Sequence, residues 1–360
     1  PLELLAPAGF RRWHRHNSAL GWRYERWPAL ASAPRREPPG ALPKIETAGE
    51  LAAFLGLPDE GALRRWMRPG AASGSAYVEF EVPKASGGSR RIATPRPELK
   101  RIQQRVLREI LDRVAAHASC HGFVRGRSVV TNATPHARAA VVVKTDLREF
   151  FPSVHYRRVR GFFERLGYSR EVGGALAGLT TYRPKCDDGE VAWPGVLAQG
   201  APTSPALANL VCLRLDARLS GLAAKVGAVY TRYADDMTFS FVDEPAVSVG
   251  RFLWWVDQIC QDEGFVENTR KRRVLRRCDS QRVTGVVVNS GASVPREARR
   301  RFRAILQNCR VHGIDSQARG HPDFRGYLRG FAAWVQMVQP ERGAKLVAEV
   351  RALLAAEARP

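Results

Sequence analysis

The chain has no Cys-x-x-Cys pair; its cysteines stand at 120, 186, 212, 260, 278 and 309. That spacing excludes a zinc ribbon and a disulfide framework. It fits a reducing cytoplasm, with thiols mostly buried as small hydrophobes. No run of 18 or more apolar residues is present, so no membrane-spanning helix and no membrane partner are expected. Residues 1–30 are interrupted by Arg and His throughout and show no secretory leader. Negative charge is also scarce: 35 Asp and Glu stand against 57 Lys and Arg, a formal net charge of +22. An excess of that size cannot be hidden in internal ion pairs. Much of the surface is therefore positive and suits a polyanion, because neutralising phosphates releases condensed counterions. Arginine enrichment from a GC-rich genome is the competing explanation. What is present can fold: 360 residues, 44% hydrophobic, are enough for two or three packed subdomains.

Residues 1–45 are rich in Arg, Trp and Pro and close on Pro38-Pro39-Gly40 and Leu42-Pro43. They read as an N-terminal extension, partly helical around Trp13 to Trp27. A helical period over 47–67 aligns Leu51, Phe54, Leu55 and Leu63. Residues 77–83 alternate as a strand, and Gly87-Gly88 turns it back through Arg90-Arg91-Ile92-Ala93 as a hairpin. A helix over 98–116 gathers Ile102, Val106, Leu107, Ile110 and Leu111 on one face. Val141-Val142-Val143 reads as a short buried strand running into Thr145-Asp146, and strands over 227–233 and 237–242 flank Ala234-Asp235-Asp236. Helices are expected near 155–166, 170–180 and 203–225. A strand over 283–289 precedes a strongly basic helix over 295–311, and the last 35 residues follow a helical pattern.

Asp146 ends a strand and Asp235-Asp236 sits at a hairpin tip, so both expose carboxylates at the edge of a sheet. Carboxylates on neighbouring strands repel each other unless a cation bridges them. Two Mg²⁺ ions about 4 Å apart can activate a 3′-hydroxyl and stabilise a leaving pyrophosphate. Unrelated acids at strand ends, common in turns, are the alternative for Asp146 taken alone. Gln199-Gly200-Ala201-Pro202-Thr203-Ser204-Pro205 leads into a helix through Asn209. Its Gly and Pro residues fix a turn where backbone can approach a ligand, at a helix N-terminus suited to phosphate.

In this order the segments resemble the reverse transcriptases: a fingers hairpin, a first aspartate, a Gln-Gly motif, then Tyr233-Ala234-Asp235-Asp236, over roughly residues 45–355. Within that superfamily the chain resembles the bacterial retron enzymes. Asn132-Ala133-Thr134-Pro135-His136 matches their N-A-x-x-H signature, and Val283-Thr284-Gly285 matches their V-T-G signature. His121-Gly122-Phe123-Val124-Arg125-Gly126-Arg127-Ser128 precedes both. Ala198 departs from the usual Pro before Gln-Gly, and 183–193 looks like a variable loop. The resemblance implies an α+β, right-hand polymerase fold. Residues 46–140 would be fingers, 141–290 a ferredoxin-like palm with inserted helices, and 291–360 a helical thumb.

The same resemblance implies roles. Asp146, Asp235 and Asp236 would be the acids of a site for two Mg²⁺ ions, with the Leu147 carbonyl as a further ligand and Asp236 the least direct. Phe151 would be the aromatic gate beneath the incoming sugar, its ring clashing with a 2′-hydroxyl, while Phe150 packs in the core. Lys84 and Arg90 would grip the triphosphate, with Arg91 competing for the second place. Gln199 would line the nucleotide pocket, and Lys271 would stand near the pyrophosphate. Arg125, Arg127, Arg272 and Arg273, with Arg299, Arg300 and Arg303 in the thumb, would contact nucleic acid, a solvated charge face being the alternative for the runs 270–277 and 296–303. His136 reads as a hydrogen-bonding structural residue rather than a base. The implied partners are dNTPs, a cognate structured non-coding RNA as template-primer, its branched RNA-linked DNA product, and an effector protein in antiphage defence. The competing readings are a group II intron-like, diversity-generating or abortive-infection reverse transcriptase, or a catalytically idle RNA-binding scaffold.

Overall fold

Hydrophobic periods of 3.6 and of 2 alternate along the chain, and an α+β structure results. The computed structural model describes residues 42–67, 76–83, 87–184 and 195–357. The helical expectation around Trp13 to Trp27, the role expected of Lys84, and nearly all of the 183–193 loop lie outside the described residues.

Helix α1 (Ala48–Leu55) starts at Thr47, whose side chain accepts from the Glu50 amide, and closes at Gly56 with a left-handed φ of 75°. Pro58 follows, so the single period expected over 47–67 divides into α1 and α2 (Glu60–Met67). Strands β1 (Tyr77–Pro83) and β2 (Ser89–Pro95) pair antiparallel with Phe80 opposite Ile92, as the hairpin pattern predicts. Helix α3 (Pro97–Glu109) stops short of residue 116 because the chain tightens into a 3-10 turn over Leu111–Arg113.

A short α4 (Val129–Ala133) leads to β3 (Val141–Asp146), then α5 (Phe150–Ser153), α6 (Tyr156–Arg165) and α7 (Arg170–Thr180). The helical stretch expected near 203–225 is two helices, α8 (Ser204–Val211) and α9 (Leu213–Lys225), divided at Cys212. Next come β4 (Ala228–Tyr233), β5 (Asp236–Phe241), α10 (Val249–Asp262) and β6 (Arg273–Arg276). The four central strands form one antiparallel sheet in the order β4-β5-β3-β6. Strand β6 was hidden in a basic run. It pairs Arg276 with Val141 at the sheet's edge, where charged side chains discourage pairing with a second molecule.

The single strand expected over 283–289 is instead a reversal, β7 (Arg282–Val283) against β8 (Val286–Val287). Thr284 and Gly285 form its two-residue turn, both with positive φ. The C-terminal helices are α11 (Arg296–His312), α12 (Asp315–Ala318), α13 (Phe324–Val338) and α14 (Pro340–Glu357). Among the described residues no helix is long and apolar enough to cross a membrane.

The core is divided by the sheet. Val141 and Val143 of β3 join Met237, Phe239 and Phe241 in a cluster that runs from Ile45 to Phe265. Val142 points to the other face and packs with Val283, Val286, Val288, Val335 and Val338. Strand β3 is thus buried on both faces, each valine contributing roughly 1.5–3 kcal/mol relative to exposure. That anchored strand delivers Asp146 to the sheet's edge.

Candidate active site

Asp146 is the last residue of β3 and lies opposite Asp236 of β5. Tyr233 pairs with Asp236, which leaves Ala234 and Asp235 as a two-residue turn. The Leu147 amide donates to the Asp235 carbonyl at 3.0 Å, and the Asn268 amide donates to the Asp146 carbonyl at 2.7 Å. These bonds bring Asp146 and Asp235 together. Burial first, and then the neighbouring Asp146 carboxylate, push Asp235 up to about 6. Lys271 Nζ lies 3.0 and 2.9 Å from the two Asp146 oxygens. Asp236 is drawn to Lys144 at 3.4 Å, and burial raises its pKa against the pull of that lysine.

Among the described residues no three His, Cys, Asp or Glu side chains close into a metal cage. Asp146 and Asp235 nonetheless present hard oxygens that repel each other in a half-buried place, a donor set that suits a divalent cation of the Mg²⁺ kind. The Leu147 carbonyl, beside them, accepts no hydrogen bond among the described residues.

Aromatic rings surround the turn. Phe151 is half-buried, with its ring 5.4 Å from Phe150 and 6.4 Å from Phe123; Phe123 is also 6.4 Å from Tyr233. Phe150 points into the core against Phe265. The Gln199 carbonyl accepts from the Ala93 amide at 2.8 Å, docking the Gln-Gly segment onto β2. A Cβ at Gly200 would stand 2.9 Å from the Ala93 oxygen, so glycine is required by that approach. The Gln199 Oε1 is buried without a partner among the described residues, a cost that a bound hydrogen-bond donor would relieve. Arg91 lies 4.0 Å from Glu79, whereas Arg90 is exposed and unengaged among the described residues.

The arginines expected on nucleic acid divide into three kinds. Arg125, Arg273, Arg300 and Arg303 are exposed. Arg299 is half-buried near Arg342, Arg303 and Arg296, and burial and those cations lower its pKa. Arg272 turns inward onto buried Glu267, which also accepts from Thr145 Oγ1. Arg127 donates to the carbonyls of Ala118 and Cys120 and holds its own loop. These two guanidiniums are occupied by the protein, because a buried acid and unpaired loop carbonyls need donors.

Both signature segments have a structural explanation. Thr284 is β-branched yet sits at φ 46°; its Oγ1 donates to Val129 O at 3.2 Å and accepts from Asn132 Nδ2 at 3.4 Å. The two signatures therefore touch each other. His136 is fully buried, with Nδ1 2.7 Å from Ser240 Oγ and Nε2 2.7 Å from Thr231 Oγ1, stapling β5 to β4. Burial, and then His121, push its pKa down to about 3. The unfolded ring protonates near 6.5, so between these values only the unfolded chain takes up that proton. Its contribution to stability is complete above the unfolded value and is lost as pH falls through that window. The urea midpoint should drop between about pH 7 and pH 5 by more in the parent than in His136→Gln. Equal drops would exclude His136 as the source.

The sequence reading missed Arg232 and Asp216. Arg232 and Asp216 are both fully buried and ion-paired at 2.7 Å. The available signal was a charge inside an apolar strand and another on the apolar side of α9, beside Leu215 and Leu219.

The protein-family model for reverse transcriptase (RNA-dependent DNA polymerase) matches residues 82–288. The retron Mx65 reverse transcriptase of Myxococcus xanthus is 43% identical over 315 residues, covering 85% of this chain and 71% of that one. The retron Mx162 enzyme of the same organism is 37% identical over 368 residues, covering 93% and 73%. The retron Ec86 reverse transcriptase of Escherichia coli is 34% identical over 282 residues, covering 77% and 81%.

Proposed function

Because this chain belongs to the reverse transcriptase family, in its bacterial retron branch, and is an RNA-directed DNA polymerase, we propose that it copies a cognate structured non-coding RNA into branched, RNA-linked single-stranded DNA. The observation that carries the chemistry is the meeting of Asp146 and Asp235 at the sheet's edge, with Lys271 on Asp146. Asp146 and Asp235, with the Leu147 carbonyl, would hold Mg²⁺, and Asp236 supports them from its pairing with Lys144. Bound there, two such ions would supply Lewis acidity for attack of a 3′-hydroxyl on the nucleotide and for departure of pyrophosphate.

The chain's own residues do the rest. Phe151 walls the sugar, Gln199 lines the nucleotide pocket, and Arg90, the less engaged of its pair, binds triphosphate oxygens together with Lys84. Lys271, held on Asp146 at 2.9 Å, would stand near the pyrophosphate as it leaves. Residues 46–140 act as fingers, 141–290 as palm and 291–360 as thumb. The exposed Arg300 and Arg303 of α11 meet the duplex backbone. Priming from a guanosine 2′-hydroxyl, an effector partner, cytoplasmic action and a role in antiphage defence are retron features that we extend to this chain.

Sequencing the nucleic acid that copurifies with the protein tests this reading. A branched RNA–DNA hybrid is expected. A linear cDNA would point to an intron-like or diversity-generating enzyme, and absence of DNA to a scaffold.

A further inference from the structure

Arg232 and Asp216 form a bidentate pair with both side chains fully buried, Nε 2.8 Å from Oδ1 and one terminal nitrogen 2.7 Å from Oδ2. Apolar residues of like volume often replace such a pair without loss of stability, so stability alone is a poor explanation for it. The other terminal nitrogen has two acceptors, Asn209 Oδ1 at 3.0 Å and the Ala234 carbonyl at 2.9 Å. The second acceptor matters most. The Ala234 carbonyl and the Asp235 amide share one planar peptide unit, so holding that oxygen fixes the plane from which Asp235 departs. The next peptide is held as well, through the bond from the Leu147 amide to the Asp235 carbonyl.

Outside support is needed here. Ala234 has a φ of 57°, a conformation that residues with a Cβ adopt at a cost. Asn209 extends the support, its Nδ2 donating to the Gly122 carbonyl at 2.8 Å. Gly122 lies so close to the turn that a Cβ there would stand 2.5 Å from the Ala234 nitrogen.

We propose that Arg232, oriented by Asp216 and Asn209, is a positioning residue that aims the Asp235 carboxylate toward Asp146 through the Ala234 carbonyl. The proposal rests on Asp235 being a catalytic acid.

The test removes the charges while keeping the volume. Tyr230 donates to Asp216 at 2.9 Å, so its hydroxyl is removed too, in the triple variant Arg232→Met, Asp216→Leu, Tyr230→Phe. Its thermal midpoint should fall, because Asn209 Oδ1 and the Ala234 carbonyl lose their donor, while the RNA affinity and KM for dNTP of the folded protein should stay near those of the parent. Its kcat should fall on the order of 10- to 100-fold, the scale of a displacement of about 1 Å. Arg232→Lys keeps the charge but loses the fork, and should show the same split between kcat and KM. If either folded variant turns over at the parent rate, the proposal is overturned. It is overturned equally if kcat falls only in step with loss of folded protein in both variants, since the pair is then merely structural. Full synthesis by Asp235→Asn would instead remove the underlying assignment.

Discussion

Asp235→Asn is expected to abolish RNA-templated DNA synthesis while leaving the fold and RNA binding intact. Asparagine keeps the shape of the side chain and removes its charge. The loss in kcat should be at least about 1000-fold, because a group that holds charge at the reacting centre stabilises the transition state by several kcal/mol. Stability should move the other way or not at all. Asp235 is raised to about 6 by burial and by Asp146, so its ionised form is disfavoured in the folded state and neutral Asn relieves that. Primer extension with dNTPs and Mg²⁺, a thermal melt and an RNA gel shift measure the three quantities. Synthesis retained at the parent rate would sink the active-site assignment. Asp236→Asn gives an internal comparison: its carboxylate is paired with Lys144, so its loss should reduce synthesis less.

The parts of the site legible in the sequence are those whose signal lies within one segment. Asp146 follows a short β-branched run that favours a buried strand, and Asp235-Asp236 stands between two strands, the second alternating; both acids stand where a regular pattern stops. A carboxylate at such a break is a local departure that can be read from one segment. The Arg232–Asp216 pair lies 16 residues apart on a strand and a helix, and nothing in either period shows that they meet. From sequence Arg272 and Arg127 read as nucleic-acid contacts, because an arginine in a basic segment looks the same whether it faces a phosphate or an acid or carbonyl of its own chain. The same masking hid β6, whose four residues include two arginines. The Thr284–Gly285 reversal was obscured by valines on both sides, which made two short strands look like one. The signatures around Asn132 and Thr284 were recognised as patterns, but their mutual contact belongs to tertiary structure.

Phe151→Val is expected to admit ribonucleotides. Helix α5 begins after Glu149, which takes a left-handed φ of 45°, and this sharp entry places consecutive phenylalanines on different sides. Phe150 is turned into the core, 6.1 Å from Phe265, and the Arg232 guanidinium lies 5.8 Å from its ring. Phe151 stays half-buried, its ring 6.4 Å from exposed Phe123. Removing Phe150 would therefore leave a cavity in the core, whereas shortening the half-buried Phe151 opens space where the proposed sugar site would lie. A ring that excludes a 2′-hydroxyl by contact discriminates by steric clash, and valine removes most of the clashing edge. The ratio of kcat/KM for rGTP to that for dGTP on an RNA template should rise on the order of 100-fold, within the range that pocket-shape changes supply. Synthesis with dGTP should stay within a few-fold of the parent, because Phe150 still fills the core. A ratio unchanged in Phe151→Val, with dGTP incorporation intact, would show that the sugar is read elsewhere. Phe123, exposed and equally distant from Phe151 and Tyr233, would then be the next ring to shorten.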